Sequence, residues 1–163
     1  MQRYAHLFII IPVFLLDQWT KRMVVECLAY GRSHDVFPWL SIVHWQNTGG
    51  LFGFMSQDAS GRLVFLVIPL AVIAGLAYYL VAYRLSLWTR LSLTFVLSGA
   101  VGNMYDRISL GYVIDFILVH YKNFQYPAFN VADSAITFGI GLWLFTQFFL
   151  KEGARRTGQR NSA

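Results

Sequence analysis

The sequence predicts an all-α membrane protein whose four helices cross the bilayer and whose unusual polar residues collect at one face. Three observations predict it. Of 163 residues, 56% are hydrophobic and only 13% are charged, where a soluble domain carries about 25% charge. Four stretches approach the roughly 20 apolar residues that a bilayer core requires. The polar residues that interrupt them map to the same ends of those stretches. The length suits one compact unit, residues 1–153, followed by a short tail. An aromatic content of 17% agrees, because Trp and Tyr favour the two bilayer interfaces.

The first span covers residues 4–23 and is charge-free over 7–16. A cleavable leader is the rival reading, but no small-residue cleavage site follows; Asp17-Gln18-Trp19-Thr20-Lys21 closes the stretch instead. Residues 24–61 form an outer connection, strand-like in composition over 36–45. The second span, 63–83, carries no charge. The third, 87–105, holds Arg90 close enough to its end to snorkel. A second outer connection, 108–129, contains an apolar run broken only by Asp115. The fourth span, 130–150, is uncharged after Asp133.

Residues 154–163 form a polar basic tail, placed to meet anionic headgroups from the cytoplasmic side. That tail accounts for much of the net charge of +5, and no aromatic–basic surface pattern accompanies it. Nucleic acid is therefore not the expected partner. With the N-terminus inside, Arg3, Arg84, Arg90 and the tail face Lys21, Arg22, Arg32, Arg62, Arg107 and Lys122 outside. This is nearly a tie under the positive-inside rule. The unopposed basic character of the inner segments favours both termini in the cytoplasm. Cys27 is the single cysteine, so an internal disulfide is excluded.

Polar side chains at membrane depth are costly and need a reason. Asp17, Asn47, Asn103, Asp106, Arg107, Asp115, Asn130 and Asp133 all fall at outer span ends or in outer connections. Asn103 and Arg107 share a helix face, and Gly99, Ala100 and Gly102 before them permit close helix approach. Read as structure alone, Arg107 pairs with Asp106. Asn130 suits an N-cap and Asp133 a first helical turn, where the dipole favours an anion. Asp17 and Lys21 are spaced for a helical ion pair near the membrane surface. Asp115, between Ile114 and Phe116, has no local partner. Two carboxylates in a partly dry site share one proton and separate in pKa. Such a pair can activate a water and polarise a carbonyl, and Asp115 with Asp133 is the best pair. Asn47-Thr48-Gly49-Gly50-Leu51-Phe52-Gly53 is either a simple turn or a surface for an extended chain. The four histidines lack paired metal-site spacing.

The chain resembles the lipoprotein signal peptidases, or signal peptidase II, over nearly its whole length. The resemblance rests on Asp17-Gln18-Trp19-Thr20-Lys21, Asn47-Thr48-Gly49 with Phe52-Gly53, and Gly102-Asn103-Met104-Tyr105-Asp106-Arg107. It continues through Val113-Ile114-Asp115-Phe116 and Phe129-Asn130-Val131-Ala132-Asp133-Ser134. It implies a small extracytoplasmic β-cradle and a short interfacial helix beside the four spans. It also implies an inner-membrane aspartic endopeptidase that cuts before the diacylglyceryl-modified cysteine of a prolipoprotein. The implied catalytic pair is Asp115 and Asp133, supported by Asp17, Asn47, Asn103, Arg107 and Asn130. No metal or organic cofactor is implied; membrane lipids and the inhibitor globomycin are, with a monomer as the default state. Leu51 departs from the small residue usual after Asn-x-Gly. The competing classes are a transporter or proton relay using buried carboxylates, another intramembrane aspartyl protease, and a metal-dependent headgroup transferase. The first lacks visible repeats, the second lacks a Gly-x-Gly-Asp motif, and the third lacks carboxylates spaced along one helix.

Overall fold

The computed structural model describes residues 2–49 and 59–149. The tail 154–163 and the run Gly50-Leu51-Phe52-Gly53 lie outside the described residues. A 3₁₀ segment, Gln2–Ile9, leads into α1 (Ile10–Cys27). Strands β1 (Ser33–Phe37) and β2 (Leu40–Asn47) follow, then α2 (Ala59–Ala82) and α3 (Leu87–Ser109). Strands β3 (Val113–Tyr121) and β4 (Phe124–Gln125) precede α4 (Val131–Phe149). The chain is thus helical with a small antiparallel sheet in the order β1-β2-β3-β4. The strand-like stretch 36–45 is two strands rather than one, because Pro38 and Trp39 turn between the paired Phe37 and Leu40. A short interfacial helix is not among the described elements.

Helix boundaries follow local chemistry. Ser86 caps α3, its Oγ accepting from the Thr89 backbone N–H at 3.2 Å. Pro69 lies inside α2, a position that helices surrounded by lipid tolerate better than most. Along α3 the hydroxyls of Ser92, Thr94 and Ser98 bond back to the carbonyls of Trp88, Arg90 and Thr94. These bonds let a helix rich in polar residues bury that face without leaving donors unsatisfied.

The distribution of polarity is inside out. Phe8, Ile11, Leu15, Ile68, Val72, Phe138 and Phe148 are exposed, whereas Asp17, Lys21, Ser92, Thr94, Ser98, Asp106 and Asn130 are buried. A protein in water would expose an apolar patch of that extent only at an interaction surface. Val64–Ala82 within α2 and the whole of α4 are long and apolar enough to cross a membrane. Helix α1 carries Asp17, Lys21, Arg22 and Glu26, and α3 carries Arg90, Asp106 and Arg107.

Helix α3 packs most closely on α4, at glycines. A Cβ at Gly99 would collide with the Ala132 carbonyl oxygen, and one at Gly139 would come within 2.6 Å of the Ser92 carbonyl oxygen. Both obstacles are backbone and cannot swing aside. Gly141 on α4 has open space around it. Gly99→Ala should therefore destabilise the protein by about 1–3 kcal/mol, whereas Gly141→Ala should not. Thermal unfolding of both variants in the same detergent checks this; equal stability would place the helix contact elsewhere.

Candidate active site

The sheet lies across the ends of α1, α3 and α4 and delivers Asp115 to them from β3, where it pairs with Trp45 of β2. Asp115 is only 4% exposed. Its two oxygens are held by amide donors from different elements. Asn47 Nδ2 donates to Oδ2 at 2.9 Å, and Asn130 Nδ2 donates to Oδ1 at 2.8 Å. The Asn47 amide is itself set by a local turn. Its Oδ1 accepts from Gly49 N–H at 2.9 Å, and Gly49 adopts φ +93°, which explains glycine at that place. Burial pushes the Asp115 carboxyl up to about 6, opposed by the Asn47 hydrogen bond and reinforced by the nearby Asp133 charge.

Asp133 occupies the first turn of α4 and is partly exposed. It forms a reciprocal cap with Asn130. The Asp133 backbone N–H donates to Asn130 Oδ1 at 2.9 Å, and the Asn130 N–H donates to Asp133 Oδ2 at 3.1 Å. Its other oxygen accepts from Asn103 Nδ2 at 2.7 Å. The capping role read from the sequence is therefore real, and it coexists with a place beside Asp115.

Asn130 is what brings the acids together. Its Nδ2 lies 2.8 Å from Asp115 Oδ1, 3.1 Å from Asn103 Oδ1 and 3.2 Å from the Ile114 carbonyl oxygen. Every neighbour of that nitrogen is an acceptor, so the amide orientation is unambiguous. One side chain thus reaches Asp115 while its own backbone and Oδ1 engage Asp133.

One pairing differs from the sequence reading. Asp106 pairs with Lys21 at 2.8 Å rather than with Arg107, because residues adjacent on a helix diverge in direction. The expected Asp17–Lys21 pair forms, at 2.7 Å, and is buried between helices, Asp17 being 0% and Lys21 1% exposed. Asp17 Oδ1 accepts from Ala132 N–H at 2.9 Å, which ties α1 to the start of α4. Gln18 Nε2 donates to Asp106 Oδ1 at 2.8 Å. Asp106 and Lys21 had been read only as ion-pair partners and Gln18 only as part of a motif, none of them as a residue supporting the site. The signal that could have found them was their place beside Asp17 and Asn103 in segments already singled out.

Arg107 is half-buried, and its Nη1 reaches the Asn103 carbonyl oxygen at 3.5 Å. Its Nε has no partner, and no carboxylate among the described residues bridges it. It borders a cavity of about 130 Å³ shared with Thr48, Phe65, Leu66 and Gly111. A second cavity, of about 410 Å³, is lined by Asp133, Ser134, Thr137, Phe138, Tyr126 and Phe129. Asp133 thus opens on the larger hollow and Arg107 on the smaller. Such a site can hold a polar backbone segment at the acids while apolar groups rest on either side.

Residues 9–149 match the family model described as signal peptidase (SPase) II. A lipoprotein signal peptidase of Enterococcus faecalis is 33% identical, with 99% of each chain covered. One from Acinetobacter baylyi is 39% identical over 87% of this chain and 80% of its own. One from Clostridium novyi is 38% identical over 89% and 97% respectively. A bacterial membrane enzyme solved by the in meso method at 1.9 Å superposes with a TM-score of 0.79 at 27% identity, covering 89% of this chain and 93% of that one. A second, at 2.3 Å, gives 0.77 at 26% identity over 98% and 94%.

Removing the Asn130 side chain should cost about 1–2 kcal/mol through the lost cap alone, and more because Asp115 would lose a buried donor. Asn130→Ala is expected to lower the unfolding temperature well beyond Ser134→Ala, an exposed neighbour on the same turn. Similar unfolding temperatures would show that the hub is energetically idle.

Proposed function

We propose that this chain, which belongs to the signal peptidase II family, removes signal peptides from prolipoproteins with Asp115 and Asp133 as its catalytic pair. The bond cut is the peptide bond just before the diacylglyceryl-modified cysteine. The observation that carries the pair is Asn130, whose amide binds Asp115 and whose backbone caps onto Asp133. Acids from a strand and a helix are thereby held at one site, as a shared-proton mechanism needs.

The environments of the two acids support a division of roles. Asp115, buried and pushed up to about 6, holds the proton. Asp133, which borders the larger cavity, is the base. A water between them loses a proton to Asp133 as its oxygen attacks the scissile carbonyl carbon. Asp115 gives its proton to the carbonyl oxygen, leaving a tetrahedral diol. When the diol collapses, the carbon–nitrogen bond breaks, the proton on Asp133 goes to the leaving amine, and Asp115 regains its own. Arg107, with donors not engaged by any carboxylate among the described residues, is suited to a substrate carbonyl through its planar fork.

The setting supports a membrane substrate. All four helices cross the bilayer in this reading, including α1 and α3, where Asp17, Lys21 and Asp106 turn inward while Ile11, Leu15, Leu16 and Ile108 face out. Burial of Lys21 between two carboxylates removes it from the outer loop charges. The basic balance then favours both termini on the cytoplasmic side of the inner membrane, with the site near the periplasmic face. The lipid chains of the precursor remain in the outer leaflet beside α4 while its peptide reaches the acids. Lipid and a globomycin-type cyclic peptide are the other expected ligands, and the enzyme acts as a monomer.

Asp115→Asn and Asp133→Asn should each abolish cleavage of a lipidated precursor while leaving the protein folded and inserted. The assay sets purified variants against lipidated and unlipidated precursor together. Near-normal turnover by either variant would sink the pair, and equal cutting of both precursors by the parent enzyme would reject lipid dependence.

A further inference from the structure

Lys21 takes no part in the chemistry above, yet it is among the most completely buried large side chains of the protein. Its ammonium donates to Asp17 Oδ2 at 2.7 Å and to Asn103 Oδ1 at 3.1 Å, and it forms an ion pair with Asp106 Oδ2 at 2.8 Å. The bond to Asn103 matters most. An amide side chain can turn over and exchange its oxygen and nitrogen at little steric cost. At Asn103 it cannot, because two donors, Lys21 Nζ and Asn130 Nδ2, converge on one atom. Only oxygen can stand there. Asn103 Nδ2 is thereby turned onto Asp133 Oδ1, at 2.7 Å.

We propose that Lys21 is a positioning residue for the reaction, acting through Asn103. Its buried ammonium locks the Asn103 amide so that the amide donates to the Asp133 carboxylate. The locked Asn103 oxygen also receives Asn130, whose remaining contacts reach Asp115. One cation on α1, touching neither acid, therefore sets the alignment of both. Without it, Asn130 is the one remaining donor on the Asn103 oxygen, and the amide that meets the Asp133 carboxylate is held less firmly in line. This role rests on Asp115 and Asp133 being the catalytic pair.

Lys21→Met alone leaves Asp17 and Asp106 buried without their cation, and such a variant can fail simply by unfolding. Asp17→Asn combined with Lys21→Met avoids this. It keeps the local net charge and nearly the same volume. Asn at position 17 still offers an oxygen to Ala132 N–H, and Asp106 keeps Gln18. The experiment measures kcat and KM on lipidated precursor for the parent, this double variant, Asn103→Ala, and the three substitutions together. Asp133→Asn serves as the reference for the pair, and thermal unfolding confirms that each variant is folded.

The expected result is a fall in kcat of about tenfold to a hundredfold for the double variant, with KM nearly unchanged. In the Asn103→Ala background the same two changes should cost almost nothing more, because their route to Asp133 is already gone. A kcat within about twofold of the parent would overturn the proposal. So would losses that multiply across the two backgrounds, which would mark Lys21 as a structural ion only. If Asp133→Asn retains activity, the catalytic pair itself falls and this proposal with it; an inactive Asp133→Asn beside an active double variant removes the positioning role alone.

Discussion

The site depends on a single constraint: every amide nitrogen and oxygen around the two acids has one permitted orientation, and Asn130 is where the constraints meet. Its nitrogen is surrounded by acceptors and its oxygen faces the N–H of Asp133. Buried polar networks are favourable only when every member is satisfied. Here the donors and acceptors match from Lys21 through Asn103 and Asn130 to Asp115. The same bonds that cap α4 also fix the distance between a strand-borne acid and a helix-borne one. Fold and site therefore share their stabilising contacts, and loosening one loosens the other.

An apolar solvent makes such an arrangement affordable in structural terms. The exposed faces of the helices are Phe, Leu, Ile and Val, so the polar residues have only one another to bind. Glycines at 99 and 139 let α3 and α4 approach until backbone meets backbone, a means of association common where lipid surrounds the helices. Gly102 serves the site more directly. A Cβ there would stand 2.9 Å from Asp17 Oδ2, the oxygen that holds Lys21. Close packing and the buried charge cluster thus occupy the same seam between α1, α3 and α4.

Much of this was legible in the sequence, for an identifiable reason. A bilayer penalises polar groups so heavily that Asp17, Asn103, Asp115, Asn130 and Asp133 stand out wherever they occur. The cap formed by Asn130 and Asp133 could be read because it spans three residues. What could not be read was pairing at a distance. Asp106 looked like the natural partner of its neighbour Arg107, yet a lysine on another helix claims it. Asp17 and Lys21 have the spacing of a surface pair, and only the packing of α3 against α1 shows that the pair is enclosed. The turn at Pro38 and Trp39 was hidden inside an apolar stretch whose composition suits strand on both sides. The sheet as a whole had weak local signals, because its strands are defined by partners far along the chain.

In the proposed mechanism the division of labour between the acids follows from burial rather than from their chemistry, which is identical. Asp115, buried on β3, is pushed up to about 6, whereas an unperturbed carboxyl titrates at about 4. As pH rises through that value Asp115 loses its proton, and the acid that polarises the carbonyl is lost with it. The pH dependence of kcat/KM on lipidated precursor reads this free-enzyme group directly. The account predicts a decline on the alkaline side governed by an apparent pKa near 6. Activity that instead rises through that pH would show Asp115 to be the base, and would contradict the assignment.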